Sequence, residues 1–238
     1  MTVSSAGGNN PLVPHPRTAV QVLANSVVAS VLCIIHARYF GGKDACLKTV
    51  EGATWMDLLP YGIFAQYAAV AADTFASELG ILSGEKPVLI TDVAALLSLK
   101  PTRVPRGTNG GVTAVGTLAG AAGAGLMGLV TLLVTPFCLN WSLNGMMVLA
   151  LGITVWGTLG MLLDSVLGGV LQASVIDVRT GRVVEGDGGA KVQCSKTTDG
   201  TGQRKVVSGQ DILDNNGVNF AMAASMSISA IVLLKLLS

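Results

Sequence analysis

Long apolar runs, each about as long as a membrane is thick, constrain this chain more than any other feature. A helix needs about 17–25 mostly apolar residues to cross the hydrocarbon core of a bilayer. Four runs fit this length: residues 18–37, 61–80, 112–134 and 217–237. A fifth run, 145–175, is too long for one crossing and predicts either one tilted helix or a span that continues into a second, shorter helix.

The composition agrees with these runs. Charged residues make up 12% of the 238 residues and apolar residues 50%, whereas a soluble domain has about a quarter charged residues. The sequence therefore predicts an all-α fold, a polytopic integral membrane helical bundle with about five to six spans and the lipid bilayer as its partner. Nucleic-acid binding is not expected, because the basic loops lack interleaved aromatic residues.

The predicted organisation is a polar leader, residues 1–17, and a single membrane domain, residues 18–238. The run 88–99 is too short to cross the bilayer and is predicted to be interfacial or re-entrant. In the polar loop 176–216 and at its edge, the short β-prone pieces VIDV and RVV predict a small hairpin.

The basic residues predict the orientation in the membrane. With five spans, the leader and the loops 81–111 and 176–216 share one side and carry eleven of the 15 Lys and Arg residues. The positive-inside rule places that side in the cytoplasm or its equivalent.

Small residues recur along two of the runs. The third long run carries a stripe at steps of four residues, formed by Gly116, Gly120, Ala124 and Gly128. Such a stripe predicts close approach of helix backbones. Gly160, Asp164 and Gly168 repeat this spacing, so that an inward-facing stripe would also point the Asp164 carboxylate inward.

Acidic residues inside the runs are the first candidates for a function, because a carboxylate in a bilayer costs free energy and needs a compensating partner. Asp73 and Glu78 lie in ADTFASELG, residues 72–80, and Asp164 interrupts the run 145–175. Asp73 and Glu78 are separated by about 140° around a helix. Both could bind one metal ion only if the helix breaks or the site lies between them.

A Gly-rich loop, residues 104–113, directly precedes the third run. Backbone N–H groups at a helix start, together with an arginine, predict a phosphate-binding loop. The alternative is simple turn chemistry, and the loop lacks the Gly-Lys-Ser/Thr of a Walker A motif. The phosphate-binding candidates are Arg106, Gly107, Thr108, Asn109, Gly110 and Gly111.

A third polar motif, residues 211–219, opens the last run. The alternative explanation for Asp214 or Asn215 is that the residue caps the helix. Capping does not account for Asn219, which lies deeper and three residues after Asn216. Asp214 is therefore a candidate metal ligand or base, and the three asparagines are a candidate polar site.

On the predicted topology these motifs face one side of the membrane, with Asp73 and Asp164 somewhat deeper. This combination suits Mg²⁺ with a phosphorylated substrate, because Mg²⁺ favours one or two carboxylates plus phosphate oxygens. Phosphoryl transfer itself needs mostly positioning and charge neutralisation.

Four segments in this order resemble the transmembrane protein 19 family, and QVLANS at 21–26 is also similar. The resemblance runs from about residue 18 to the C-terminus. It rests on DTFASELG at 73–80, PRGTNGGVT at 105–113, LLDSVLGG at 162–169 and ILDNNGVN at 212–219.

The plant branch of that family includes phytyl-phosphate kinase. The resemblance therefore implies an isoprenoid-phosphate kinase of an internal membrane, endoplasmic reticulum or plastid-like, that uses Mg²⁺ and a nucleoside triphosphate on an isoprenyl phosphate. Asp73 and Glu78 would hold the metal, with Asp164 and Asp214 as further catalytic candidates. Family members usually carry two or three more helices before the matching region, so the resemblance implies that this chain lacks them.

Two other hypotheses stay open. Asp73 and Asp164 could be ion or proton sites of a transporter or channel, or the acids could satisfy interhelical hydrogen bonds in a non-catalytic membrane protein. The four cysteines, Cys33, Cys46, Cys138 and Cys194, form no C-x-x-C pair and are expected to be unremarkable thiols.

Overall fold

The bundle has five long helices in the part of the chain that the computed structural model describes, which is residues 18–43, 45–92, 102–184, 186–192 and 204–238. The predicted helical membrane bundle is confirmed. The predicted leader, residues 1–17, lies outside the described residues. The helices are α1 (Ala19–Tyr39), α2 (Leu59–Gly80), α3 (Ala114–Val134), α4 (Leu143–Leu171) and α5 (Asn215–Leu237).

The fifth apolar run forms one continuous helix rather than a span followed by a second, shorter helix. The 29 residues of α4 span about 43 Å at 1.5 Å per residue. Ser142 caps its first turn by accepting a hydrogen bond from the Gly145 amide at 3.1 Å.

Helix α2 lies at the centre and packs against the other four helices. Those four are long and apolar enough to cross a membrane. Helix α2 buries small side chains, among them Ala65, Ala68, Ala69 and Ala72. A helix that packs against four others gains from close approach rather than from solubility in lipid.

The predicted small-residue stripes are the contact surfaces of this packing. A Cβ on Gly120 of α3 would lie 2.9 Å from the Ala72 carbonyl oxygen, and one on Gly160 of α4 would lie 2.4 Å from Cβ of Ala69. Side chains at these positions would push the helices apart, so glycine sets the interhelical distance.

The helices alternate in direction, which gives the bundle two ends. The basic end holds the start of α1, the connection between α2 and α3 and the connection between α4 and α5. The opposite end holds the connections 40–58 and 135–142, which are joined by a disulfide between Cys46 and Cys138. We call it the disulfide end.

The expectation of unremarkable thiols is wrong for Cys46 and Cys138, whose Cα atoms are 5.0 Å apart. Cys33 is a free, exposed cysteine of α1, and Cys194 lies outside the described residues. Disulfides form in oxidising compartments. The bond is compatible with the predicted orientation, in which the basic end faces the cytoplasm, and this orientation stays a prediction.

Backbone and side-chain contacts hold the disulfide end together. The Leu47 amide donates to Pro136 O at 2.7 Å, and the Cys138 amide donates to Leu47 O at 3.1 Å. Lys48 Nζ lies 3.0 Å from Asp57 Oδ1. Burial raises the pKa of Asp57, but hydrogen bonds from Thr54 and Lys48 and the charge of Lys48 outweigh burial and hold it below the usual value.

Short strands cover the basic end. Strand β1 (Val88–Leu89) pairs antiparallel with β2 (Gly111–Val112), so the predicted interfacial segment 88–99 begins as a strand, and its residues 93–99 lie outside the described residues. Strands β3 (Ser174–Asp177), β4 (Val183–Val184) and β5 (Arg204–Ser208) form an antiparallel sheet in the order β4-β3-β5. Strands β3 and β4 are the hairpin that the sequence predicts.

Candidate functional site

Two acidic side chains meet inside the basic half of the bundle. Asp73 of α2 and Asp164 of α4 lie within hydrogen-bonding reach of each other. Asp164 Oδ1 is buried and has no hydrogen-bond partner among the described residues. The predicted inward direction of Asp164 is therefore confirmed.

The close approach of α2 and α4 follows from glycine at the crossing. A Cβ on Gly157 would lie 2.8 Å from the carbonyl oxygen of Ala68. Gly160, one turn nearer to Asp164, touches the next residue of α2, Ala69. The same stripe that packs the helices thus brings the two carboxyl groups together.

A polar cavity of about 640 Å³ contains the pair at the basic end. Its walls come from all five helices and from the loops of that end. The cavity brings together the three motifs that the sequence singled out. Of the predicted site residues, the lining includes Asp73, Glu78, Arg106, Gly107, Thr108, Asn109, Gly110, Gly111, Asp164, Asp214, Asn215 and Asn219.

The Gly-rich loop is held by bonds to the protein itself. The amides of Thr108, Asn109 and Gly111 donate to Pro105 O at 3.2 Å, Ser174 Oγ at 2.9 Å and Thr108 O at 2.9 Å. These three donors are used within the fold, so a phosphate in this loop has to be bound by other groups. Arg106 lines the cavity, and its guanidinium donates to the Ser83 carbonyl.

The backbone conformation and the close packing at position 110 both require glycine. Its φ is 79°, in the left-handed region that favours glycine. A Cβ there would also lie 2.7 Å from Cα of Gly169 and 3.0 Å from Ser165 O. The loop therefore docks on α4 one turn beyond Asp164, which the turn-chemistry alternative anticipates.

The start of α5 has a helix cap and also forms part of the cavity wall. Asp214 Oδ1 accepts a hydrogen bond from the Gly217 amide at 2.8 Å, as the capping alternative predicts. Asn216 Nδ2 donates to Gly188 O at 3.0 Å and ties the short 3₁₀ turn Asp187–Gly189 to the helix. Asn219 faces the cavity one turn deeper.

Asp73 meets the carboxyl group of Asp164, whereas Glu78 is an exposed wall residue about 7 Å further along α2 at 1.5 Å per residue. Among the described residues, no group of three His, Cys, Asp or Glu side chains could hold a metal ion. A metal ion at this site would therefore have at most two carboxylates and would need oxygens from outside the protein.

Sequence reasoning missed several polar residues at the site. Gln66 of α2 is fully buried, and its Nε2 donates to Asn25 O of α1 at 2.8 Å. Gln21 and Asn25 of α1 and Lys191 line the cavity. For Gln21, Asn25 and Gln66 the available signal was an amide side chain inside an apolar run, a polar group in an apolar setting like the acids.

The fold and the site define a multi-span helical membrane protein with an acidic pair in a polar cavity at its basic end. The chain belongs to the family described as integral membrane protein DUF92, whose family model matches residues 2–227.

Two relatives show how far the similarity extends. Protein PGR of Arabidopsis thaliana is 40% identical over 208 residues, which cover 86% of this chain and 64% of that protein. The uncharacterized membrane protein MJ0933 of Methanocaldococcus jannaschii is 34% identical over 156 residues, 66% of this chain and 52% of that protein. This chain thus spans less than two thirds of each relative's length. No solved structure matches it.

Proposed function

We propose that this protein is a membrane phosphotransferase that moves the terminal phosphoryl group of a nucleoside triphosphate to an isoprenyl monophosphate, as the resemblance to the transmembrane protein 19 family implies. The observation that carries the proposal is the Asp73–Asp164 pair inside a polar cavity of about 640 Å³. This volume is within the range of small-molecule sites.

The acidic pair fits Mg²⁺. Two carboxylates side by side repel each other in a medium of low dielectric constant, and Asp164 Oδ1 has no partner among the described residues. Mg²⁺ favours one or two carboxylates together with phosphate oxygens, so Asp73 and Asp164 would hold it, in place of the pair Asp73 and Glu78. A bound Mg²⁺ would offset the negative charge of the phosphates.

The transfer needs no general base. An oxygen of the isoprenyl monophosphate bonds to the γ-phosphorus while the bond from that phosphorus to the β-phosphate oxygen breaks, which leaves an isoprenyl diphosphate and a nucleoside diphosphate. A phosphate monoester has its second pKa at about 6, so its oxygen is already deprotonated at neutral pH. The carboxyl groups of Asp73 and Asp164 therefore position charge, and Arg106 on the cavity wall helps to neutralise it.

A transporter also places acids in the interior of a bundle. The structure has another cavity, whose apolar lining favours a transferase instead. That cavity has a volume of about 410 Å³, lies toward the disulfide end between α2, α4 and α5, and has an apolar lining that includes Tyr61, Phe64, Trp141 and Trp156. The acids and amides line the basic-end cavity instead, which suits a site open to one side.

The test is a transfer assay with purified protein, γ-labelled nucleotides and a panel of isoprenyl monophosphates. We expect Mg²⁺-dependent labelling of the lipid product and a loss of about 100-fold or more in Asp73→Asn, a magnitude typical of lost electrostatic stabilisation. Asp177→Asn, in the β3–β4 hairpin outside the cavity, is the matched control and should stay active. Full activity in Asp73→Asn, or no labelling with any pair of substrates, would refute the proposal.

A further inference from the structure

One face of the central helix α2 has no helix packed on it in the described part of the chain. Helix α1 packs against α2 and α5, and α3 packs against α2 and α4. Among the described residues, α1 and α3 make no extensive contact with each other. We call the space between them the α1–α3 gap.

Contacts on α2 fix where the gap lies. On one side, Gln66 bonds to the backbone of α1 at Asn25. On the other side, a Cβ on Gly123 of α3 would lie 2.9 Å from Ala71 O. The face between these contacts carries Tyr67, Thr74 and Glu78, which share one side of a helix by their spacing. Tyr67 is 37% exposed, and Glu78 is also exposed.

This open face changes character along its length. Thr74 and Glu78, near the basic end of α2, line the polar cavity together with Gln21 of α1 and Thr117 of α3. Further toward the disulfide end the face carries Tyr67 and Val70. Polar side chains that face acyl chains cost free energy, so the gap needs a polar occupant near the basic end and an apolar one deeper.

The depths of these residues along α2 match the headgroup and the chain of a lipid in the membrane leaflet at the basic end. Counted from Gly80, the last residue of α2, Glu78 lies about 3 Å and Thr74 about 9 Å deep at 1.5 Å per residue. Tyr67 lies about 20 Å deep on the same scale. A lipid phosphate would therefore meet polar groups at headgroup depth, and its chain would meet the apolar part of the same helix face.

We propose that the α1–α3 gap is a lateral portal through which an isoprenyl phosphate reaches the Asp73–Asp164 pair from the leaflet at the basic end. This inference rests on the proposed function. The phosphate passes between Gln21 and Thr117 and over Thr74, while the isoprenoid chain stays against the face at Tyr67 and Val70. The nucleotide reaches the cavity from the aqueous phase at the basic end.

Neighbouring residues of α3 offer a matched pair of variants. Thr117 lines the cavity, whereas Leu118 is 72% exposed on the outside of the bundle. Thr117→Trp should raise the KM for a long-chain isoprenyl phosphate at least tenfold more than the KM for nucleotide. A five-carbon isoprenyl phosphate is soluble in water and can enter without the lateral route, so its KM should rise much less than that of the long-chain substrate. Leu118→Trp should change none of these values.

Gln21 of α1 lies on the opposite wall of the portal. If the portal is correct, Gln21→Trp should likewise raise the KM for the long-chain substrate much more than the KM for the five-carbon substrate. An unchanged KM for the long-chain substrate in both variants would overturn the portal. An equal loss of long-chain and short-chain activity in a variant that elutes as a folded, monodisperse species would overturn it as well, because the block would then not be specific to the lateral route.

A binding experiment separates the portal from the chemistry. A photoreactive isoprenyl monophosphate in nanodiscs should label peptides of α2 and α3 around Tyr67 and Thr117, and Thr117→Trp should reduce this labelling. Labelling at the portal without phosphoryl transfer would refute the proposed function and leave the portal intact. If transfer occurs but labelling is confined to the apolar cavity that Trp156 lines, the portal is refuted and the proposed function stays intact.

Discussion

Asp73 and Asp164 lie on different helices and bring their carboxyl groups within hydrogen-bonding reach of each other. The contact depends on glycine, because α4 packs onto α2 through Gly157 and Gly160. Packing and chemistry thus share one helix face. The stripe that lets the backbones meet also sets the distance between the two acids.

The two acids should act as a unit. We expect Asp73→Asn and Asp164→Asn each to lower phosphoryl transfer about 100-fold or more. The double variant should cost little more than the worse single variant, because residues that act together are strongly non-additive. If the loss in kcat of the double variant equals the product of the losses in the two single variants, the acids work independently.

The helix crossing should be sensitive to a single methyl group. Gly160→Ala places a Cβ 2.4 Å from Cβ of Ala69, and overpacking of this kind costs about 1–3 kcal/mol in free energy of unfolding. Gly152→Ala, in the same helix, meets no atom within 4 Å and should be neutral or slightly stabilising. Reversible unfolding in detergent measures both, and equal stability of the two variants would contradict the packing argument.

The sequence predicted the features that a bilayer imposes directly. Span length, the small-residue stripe from Gly116 to Gly128 and the inward direction of Asp164 follow from local periodicity, since one helix face is repeated every three to four residues. The β3–β4 hairpin was predicted for a similar reason, because its β-prone pieces are close in sequence.

Relationships between distant segments could not be predicted in the same way. That Asp73 meets Asp164 and not Glu78 depends on the order of the helices around α2, which periodicity does not encode. The Cys46–Cys138 bond joins loops separated by 92 residues, and spacing alone gave no pairing. The Asn109 amide is used by Ser174 Oγ, so only the folded structure shows that this donor is taken.

The disulfide end should lose stability in acid. Asp57 Oδ2 accepts from the Thr54 amide at 3.0 Å and its hydroxyl at 2.7 Å, and the pKa of Asp57 is lowered because these bonds and Lys48 outweigh burial. A carboxyl group with a lowered pKa stabilises the fold above its unfolded pKa of about 3.9, and this contribution is lost as pH falls through the folded pKa.

Asp57→Asn should therefore lower the free energy of unfolding by about 1–3 kcal/mol at pH 7 and by a smaller amount at pH 3. The exposed Glu51, six residues earlier, provides Glu51→Gln as the control, which should stay close to the wild type at both values. A stability difference for Asp57→Asn that is equal at pH 3 and pH 7 would contradict this assignment.

The orientation in the membrane can be tested with the disulfide. In a background with Cys33→Ala and Cys194→Ala, the variant Cys46→Ala leaves Cys138 as a single thiol, and Gly84→Cys with the disulfide intact leaves one thiol at the basic end. In sealed vesicles an impermeant maleimide should label Cys138 only from the non-cytoplasmic side and position 84 only from the cytoplasmic side. This follows from the positive-inside rule and from the oxidising compartment that a disulfide needs. Labelling of both thiols from one side would show that the two ends do not lie on opposite faces of the membrane, and labelling with the sides exchanged would place the polar cavity away from the cytoplasmic nucleotide.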